Sequence, residues 1–142
     1  FLHGILSSEE IASLYHHPKI VGYMSTTRGE GYGLPLVDAA ASGLPVLATG
    51  WSGHLDFLKE NFVSFDYTLV DIPENKVDNR IFMKGTKWAD VKENDFKGKI
   101  NKFLDNLQDH KKVADQHSNH VRENFSKSKI MKDYMKIFER MI

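Results

Sequence analysis

The chain has 142 residues, no cysteine, and nineteen basic side chains against nineteen acidic ones. That length suits one domain with its own core. The balanced charge leaves no global field to attract nucleic acid, and the lack of cysteine excludes disulfides and thiolate metal sites.

Phe1–Leu6 is a short apolar run that reads as a strand, and the chain opens on it without an initiator Met, so it reads as a piece of a larger protein. Ser7 and Glu10 have capping-box spacing, and Ile11, Leu14 and Tyr15 carry the helix that follows up to Pro18. Lys19–Thr26 reads as a buried strand, Leu34–Ser42 as a helix stopped by Gly43, and Leu44–Thr49 as a second buried strand. Trp51-Ser52-Gly53 is a turn, His54–Glu60 a short helix, and Phe62–Ile72 is strand-like. Pro73–Asn79 is a polar turn after which Arg80–Met83 pairs back as a hairpin, and Trp88-Ala89-Asp90 leads into a helical region over Val91–Glu123. There Ile100, Phe103, Leu104 and Leu107 show helical spacing, as do Ile130, Tyr134, Ile137, Phe138 and Met141 in a last helix over Ser126–Ile142. Strands that alternate with helices over short loops imply an α/β fold, a Rossmann-like parallel sheet flanked by helices. The chain divides into a core motif region (1–60), an irregular hairpin region (61–90) and C-terminal helices (91–142).

No apolar run approaches the ~20 residues that span a bilayer, and no basic segment followed by an apolar one marks a signal peptide. The expected location is cytoplasmic. The Lys-rich last helix, with its apolar face, has two readings: peripheral contact with an anionic membrane, or packing against a further domain of the same protein.

The stretch Glu30-Gly31-Tyr32-Gly33-Leu34-Pro35-Leu36-Val37-Asp38 carries the chemistry. Gly31 and Gly33 let a ligand approach the backbone closely, Pro35 suits the first helical position, where its missing N–H costs nothing, and unpaired amides at a helix start seat phosphate. Glu30 and Asp38 flank that turn and suit the hydroxyls of the same ligand. The stretch reads as a site for a phosphorylated, hydroxyl-rich molecule such as a nucleotide-sugar. It follows the Lys19–Thr26 strand, and the carboxyl ends of parallel strands are where such sheets bind ligands. The spacing is not the dinucleotide fingerprint, whose third glycine would fall on Leu34.

Thr27-Arg28-Gly29-Glu30-Gly31-Tyr32-Gly33-Leu34-Pro35-Leu36-Val37-Asp38-Ala39, followed by Ser42-Gly43-Leu44-Pro45-Val46, resembles the retaining "group 1" glycosyltransferases of the GT-B fold. The resemblance is strong over Phe1–Leu58 and implies a partial C-terminal, donor-binding domain. It assigns Glu30 a catalytic role on the hydroxyls of the transferred sugar, and the amides of Gly31, Tyr32, Gly33 and Leu34 to the diphosphate. It assigns Asp38 to the ribose, although the pattern has Glu there, one methylene longer. It implies a nucleoside-diphosphate sugar as donor, an unspecified glycan, lipid or protein acceptor, no metal or other cofactor, and an N-terminal domain of the same protein as partner. It places the basic side chains that hold the diphosphate on earlier strands, so the 142-residue chain alone is expected not to catalyse transfer. Two alternatives stand beside it: a GT-B-like sugar-nucleotide epimerase and a non-catalytic nucleotide-sugar-binding or interaction module.

Other residues have two readings each. Arg28 either assists the phosphates or is solvated; Trp51, Ser52 and Gly53 either border the pocket or make a structural turn. Leu6 is a core leucine or the start of a base pocket. His117 and His120 have metal-ligand spacing on a helix, but no third ligand is evident and no metal is expected. His16, His17 and His110 read as exposed, and Phe62, Phe65 and Tyr67 as core.

Overall fold

The computed structural model describes residues 4–141. Three short parallel strands lie at its centre: Tyr23–Ser25 (β1), Val46–Thr49 (β2) and Val63–Phe65 (β3), in that spatial order. Tyr23, Met24 and Ser25 pair with Val46, Leu47 and Ala48, and Leu47, Ala48 and Thr49 pair with Val63, Ser64 and Phe65. All four residues of β2 are buried, as expected for a central parallel strand covered on both faces. Its side chains alternate between two cores. Val46 and Ala48 join Leu36, Ala39, Ala40, Phe57, Leu58 and Val121, while Leu47 joins Phe65 and Phe103.

Helices supply both covers. The small residues Ala39 and Ala40 let helix α2 (Leu34–Ala41) lie close to the sheet. The long helix α5 (Leu107–Phe125) packs on α2. Arg122 of α5 donates to the carbonyl of Ala41 at 2.5 Å, which serves a carbonyl at the end of α2 that has no partner within the helix. Helix α4 (Glu93–Asp105) brings Phe96, Ile100 and Phe103 to the opposite face. The N-terminal helix α1 (Ser8–Tyr15) begins with the capping box expected at Ser7, whose Oγ accepts from the Glu10 amide at 3.2 Å while the Glu10 carboxylate accepts from the Ser7 amide at 2.7 Å.

The fold class is the expected one, a Rossmann-like α/β arrangement with a parallel sheet flanked by helices. Several element boundaries differ. Phe1–His3 lie outside the described residues, and Gly4–Leu6 form no strand; Ile5 is fully exposed and Leu6 is exposed too, so it is not a core leucine. The two central strands are shorter than the apolar runs that contain them. Phe62–Ile72 is two strands in two sheets. After Phe65 the Asp66 amide turns to the Asp95 carboxylate at 2.7 Å, and Tyr67–Asp71 (β4) leaves the parallel sheet.

Its partner is Lys87–Val91 (β5), antiparallel, with Tyr67 opposite Val91 and Asp71 opposite Lys87. Trp88-Ala89-Asp90 is therefore a strand and not the lead into a helix. Arg80–Met83 does not pair back, because the Asp78 carboxylate takes the amides of Arg80, Ile81 and Phe82 at 2.9–3.0 Å and closes them into a turn. Those three bonds hold the Asp78 carboxyl below the usual carboxylate range. The expected single helical region breaks at Asn106, whose side chain donates back to the Lys102 carbonyl at 2.8 Å. The last helix, α6 (Lys127–Glu139), is capped by Ser126, and Ile130, Tyr134, Ile137 and Phe138 on it are all exposed. No described helix is long and apolar enough to cross a membrane.

Candidate functional site

The loop between β1 and α2 holds the glycine-rich stretch at the carboxyl end of β1, as its place in the sequence implied. Its conformation is set by the loop that follows β2, twenty-two residues away. The Ser52 hydroxyl accepts from the Glu30 amide at 2.8 Å and donates to the Glu30 carbonyl at 2.6 Å. The Gly53 amide reaches the same carbonyl at 3.3 Å, and the Thr49 hydroxyl donates to the Thr27 carbonyl at 2.7 Å. This approach requires glycine at 53, where a Cβ would run into the Gly31 carbonyl, 2.9 Å from its carbon. Ser52 itself sits at φ +97°, a conformation side chains rarely adopt. Trp51-Ser52-Gly53 therefore makes a structural turn and borders the site at once.

With Glu30 fixed at both its N–H and C=O, the next amides are free. Among the described residues, the N–H groups of Gly31, Tyr32, Gly33 and Leu34 have no hydrogen-bond partner. Gly33 occupies the N-cap position at φ +88°, which turns the chain sharply into α2, and Pro35 is the second helical residue, not the first. A run of unpaired amides at the mouth of a helix is an anion seat. Tyr32 does not point into solvent alone: its ring packs on Phe57 at 5.3 Å and Phe125 at 6.5 Å, which anchors the turn to α5.

The two carboxylates fall on different clefts. Glu30 and Ser52 line a cleft of about 660 Å³ between the loop and the β4–β5 pair. Asp38 lines another of about 550 Å³, together with Ser8, Tyr15, His16 and Arg122. Two tyrosines feel the charges of the two carboxylates. Burial and the Glu30 charge raise the Tyr23 phenol above its usual pKa; burial, Tyr23 and Asp38 do the same for Tyr15. The rings stand 6.1 Å apart, and both phenols stay protonated as donors in the neutral range. Their positions inside an apolar helix stripe and a buried strand hid them from sequence reading.

His54 is a third residue that sequence reading missed. It is wholly buried, its Nε2 lies 2.7 Å from the Thr49 carbonyl, and its Nδ1 has no partner among the described residues. It sits beneath Gly33, so it fills the space behind the anion seat. Arg28 is drawn away from the glycine turn. Its guanidinium bonds Asp90 at 2.8 Å and lies 4.4 Å over the Trp88 ring, and its carbonyl accepts from the Ala89 amide at 3.0 Å. His117 bonds the Phe57 carbonyl through Nε2 at 2.8 Å with His120 stacked beside it, a core tie between α5 and Leu55–Leu58. Among the described residues no three His, Asp or Glu side chains meet in a way that would hold a metal ion. His16 and His17 are exposed as expected, whereas His110 is half-buried against the Phe103 ring. Phe65 is buried and Phe62 packs against the core, but Tyr67 pairs with Trp51 at 5.5 Å.

Residues 7–133 match the model of a family described as "Family 4 Glycosyltransferase in conflict systems". The chain belongs to this family. It is thus a glycosyltransferase-family chain, and the family match extends well beyond the glycine motif, over the β4–β5 pair and most of the C-terminal helices. No curated protein and no solved structure matches the chain.

Proposed function

We propose that the chain binds the nucleoside-diphosphate sugar donor of a retaining, GT-B-type glycosyltransferase. The observation that carries this reading is the run of four unpartnered amides, Gly31 to Leu34, at the mouth of α2, behind a Glu30 locked in place by Ser52 and Gly53. A diphosphate seated there meets N–H donors and the positive end of the helix dipole. As the glycosidic bond of the donor breaks, negative charge grows on the leaving diphosphate, and donors already aimed at it stabilise that charge without reorganising. In this reading Glu30 serves the sugar and Asp38 the ribose, from the two clefts that flank the seat. Arg28, the cation nearest the turn in sequence, is engaged by Asp90 and Trp88; with the basic side chains of the resembled family expected on earlier strands, the 142-residue chain is expected to bind donor without transferring it.

Calorimetric titration with UDP, GDP and their glucose and mannose conjugates tests this. Wild type is expected to bind at least one nucleoside diphosphate, and its sugar conjugate more tightly. Glu30→Gln is expected to keep the diphosphate affinity and lose the gain from the sugar. Absence of binding by every nucleotide in the series overturns the reading.

A further inference from the structure

The cleft beside Glu30 has walls that the donor reading does not use. Trp51 and Phe82 both line it, each about one-third exposed at 36% and 38%. Each is propped by a second ring. Trp51 rests on Tyr67 at 5.5 Å, and Phe82 meets Trp88 edge-on at 5.7 Å and 83°. Trp88 is in turn covered by the Arg28 guanidinium, itself fixed by Asp90. Half-open rings held rigidly from behind are platforms, because an incoming ligand covers them without ordering them first. Glu30, Ser52, Arg28 and Lys87 are among the polar groups that line the same cleft.

Flat apolar faces next to a carboxylate, a hydroxyl and an ammonium match one ligand chemistry well. A pyranose ring presents C–H bonds on one face, which pack on an aromatic ring, and hydroxyls around its edge, which bond to charged and polar groups. We propose that the Trp51–Phe82 cleft seats a pyranose ring, its edge hydroxyls on Glu30 and Lys87. The ring belongs to one of two sources, the transferred sugar of the donor or the terminal sugar of the acceptor. The first source rests on the donor reading above, and the second does not. The β4–β5 pair is then the wall that selects the sugar, while the glycine turn holds whatever phosphate comes with it.

The test titrates the chain with UDP, UDP-glucose, GDP and GDP-mannose, and separately with methyl α-glucoside and methyl α-mannoside, while the Trp51 indole N–H is followed by NMR. The variants are Trp51→Ala, Phe82→Ala and Trp51→Phe, with folding checked by circular dichroism; Phe82 lies in an exposed turn, so its truncation keeps the test alive if Trp51→Ala misfolds. If the ring is the donor's, both alanine variants weaken the sugar conjugates about tenfold, roughly the worth of one well-packed aromatic contact, and leave UDP and GDP unchanged. If it is the acceptor's, the glycosides shift the Trp51 indole signal in wild type and not in Phe82→Ala, and their calorimetric binding is lost in Trp51→Ala. Trp51→Phe retains binding in both cases. Unchanged affinities in both alanine variants, with UDP or GDP still binding, overturn the pyranose seat and leave the donor reading intact. Glycoside binding with no nucleotide binding does the reverse, and binding by neither class removes both.

Discussion

The glycine turn and the β4–β5 pair face each other across one cleft, yet they are held by different means. The turn is fastened by buried or half-buried hydrogen bonds from residues twenty-two positions away, at Thr49 and Ser52, and it rests on the buried His54. The β4–β5 pair is built from its own ladder and from exposed contacts such as Lys87–Asp71 and Arg28–Asp90. Exposed ion pairs contribute little and are screened by salt. The difference teaches a division of labour: the glycine turn has its geometry fixed in advance, and the opposite wall is cheap to alter. A family that changes its sugar while keeping its chemistry would vary the second and preserve the first.

The comparison breaks most clearly at Gly53. Gly53→Ala forces a Cβ against the Gly31 carbonyl, and the turn must shift. The expected cost is about 3 kcal/mol by chemical denaturation, with loss of nucleotide binding. A variant of wild-type stability that still binds would show the two loops to be less tightly joined than their geometry implies. Ser52→Ala removes both bonds to the Glu30 backbone and is expected to cost about 2 kcal/mol. Nucleotide affinity should fall with it, measured by the same titration.

His117 tests the helical support behind the turn. Burial chiefly, and His120 beside it, hold its pKa below the usual value of 6.5 despite the bond to Phe57. The unfolded chain therefore binds the proton more readily than the native one. Stability from this residue is complete above pH 6.5 and is lost as pH falls through the lower native pKa. Urea midpoints should drop between pH 7.5 and pH 5.5, and the drop should shrink in His117→Gln; an equal drop in that variant would assign the effect elsewhere. The smallest effect belongs to the opposite wall. Asp90→Asn removes the half-exposed partner of Arg28 and should change stability by less than about 0.5 kcal/mol. It should still loosen Trp88, visible as a change in its fluorescence, and a large stability loss would contradict the division of labour.

The parallel core and the place of the glycine-rich loop at the end of β1 were legible because their signals are local. Val46-Leu47-Ala48 is continuously apolar, Gly43 does end α2 in the left-handed region at φ +74°, and the Ser7–Glu10 cap formed as read. The β4–β5 pair was not legible, since Trp88-Ala89-Asp90 is strand only through the distant segment opposite it. Nor does the apolar run over Phe62–Ile72 show the point where Asp66 bonds Asp95 and the chain changes sheet. The site residues split the same way. Glu30, Asp38 and the glycines announce themselves, while Tyr15, Tyr23 and His54 acquire meaning only from what surrounds them. Arg28 is the instructive middle case: it lies one residue from Gly29 in sequence and turns toward Asp90 in space.

The Ser52 clasp couples the turn to folding. It joins segments that meet only when β1 and β2 have paired, so the anion seat does not exist in any partly folded chain that lacks that pairing. A nucleotide that fits the seat then binds native molecules alone and draws the folding equilibrium toward them. At a hundredfold excess over its dissociation constant the gain is about 2.7 kcal/mol. Thermal melting in the presence of candidate nucleotides therefore serves as a ligand screen that needs no knowledge of the acceptor.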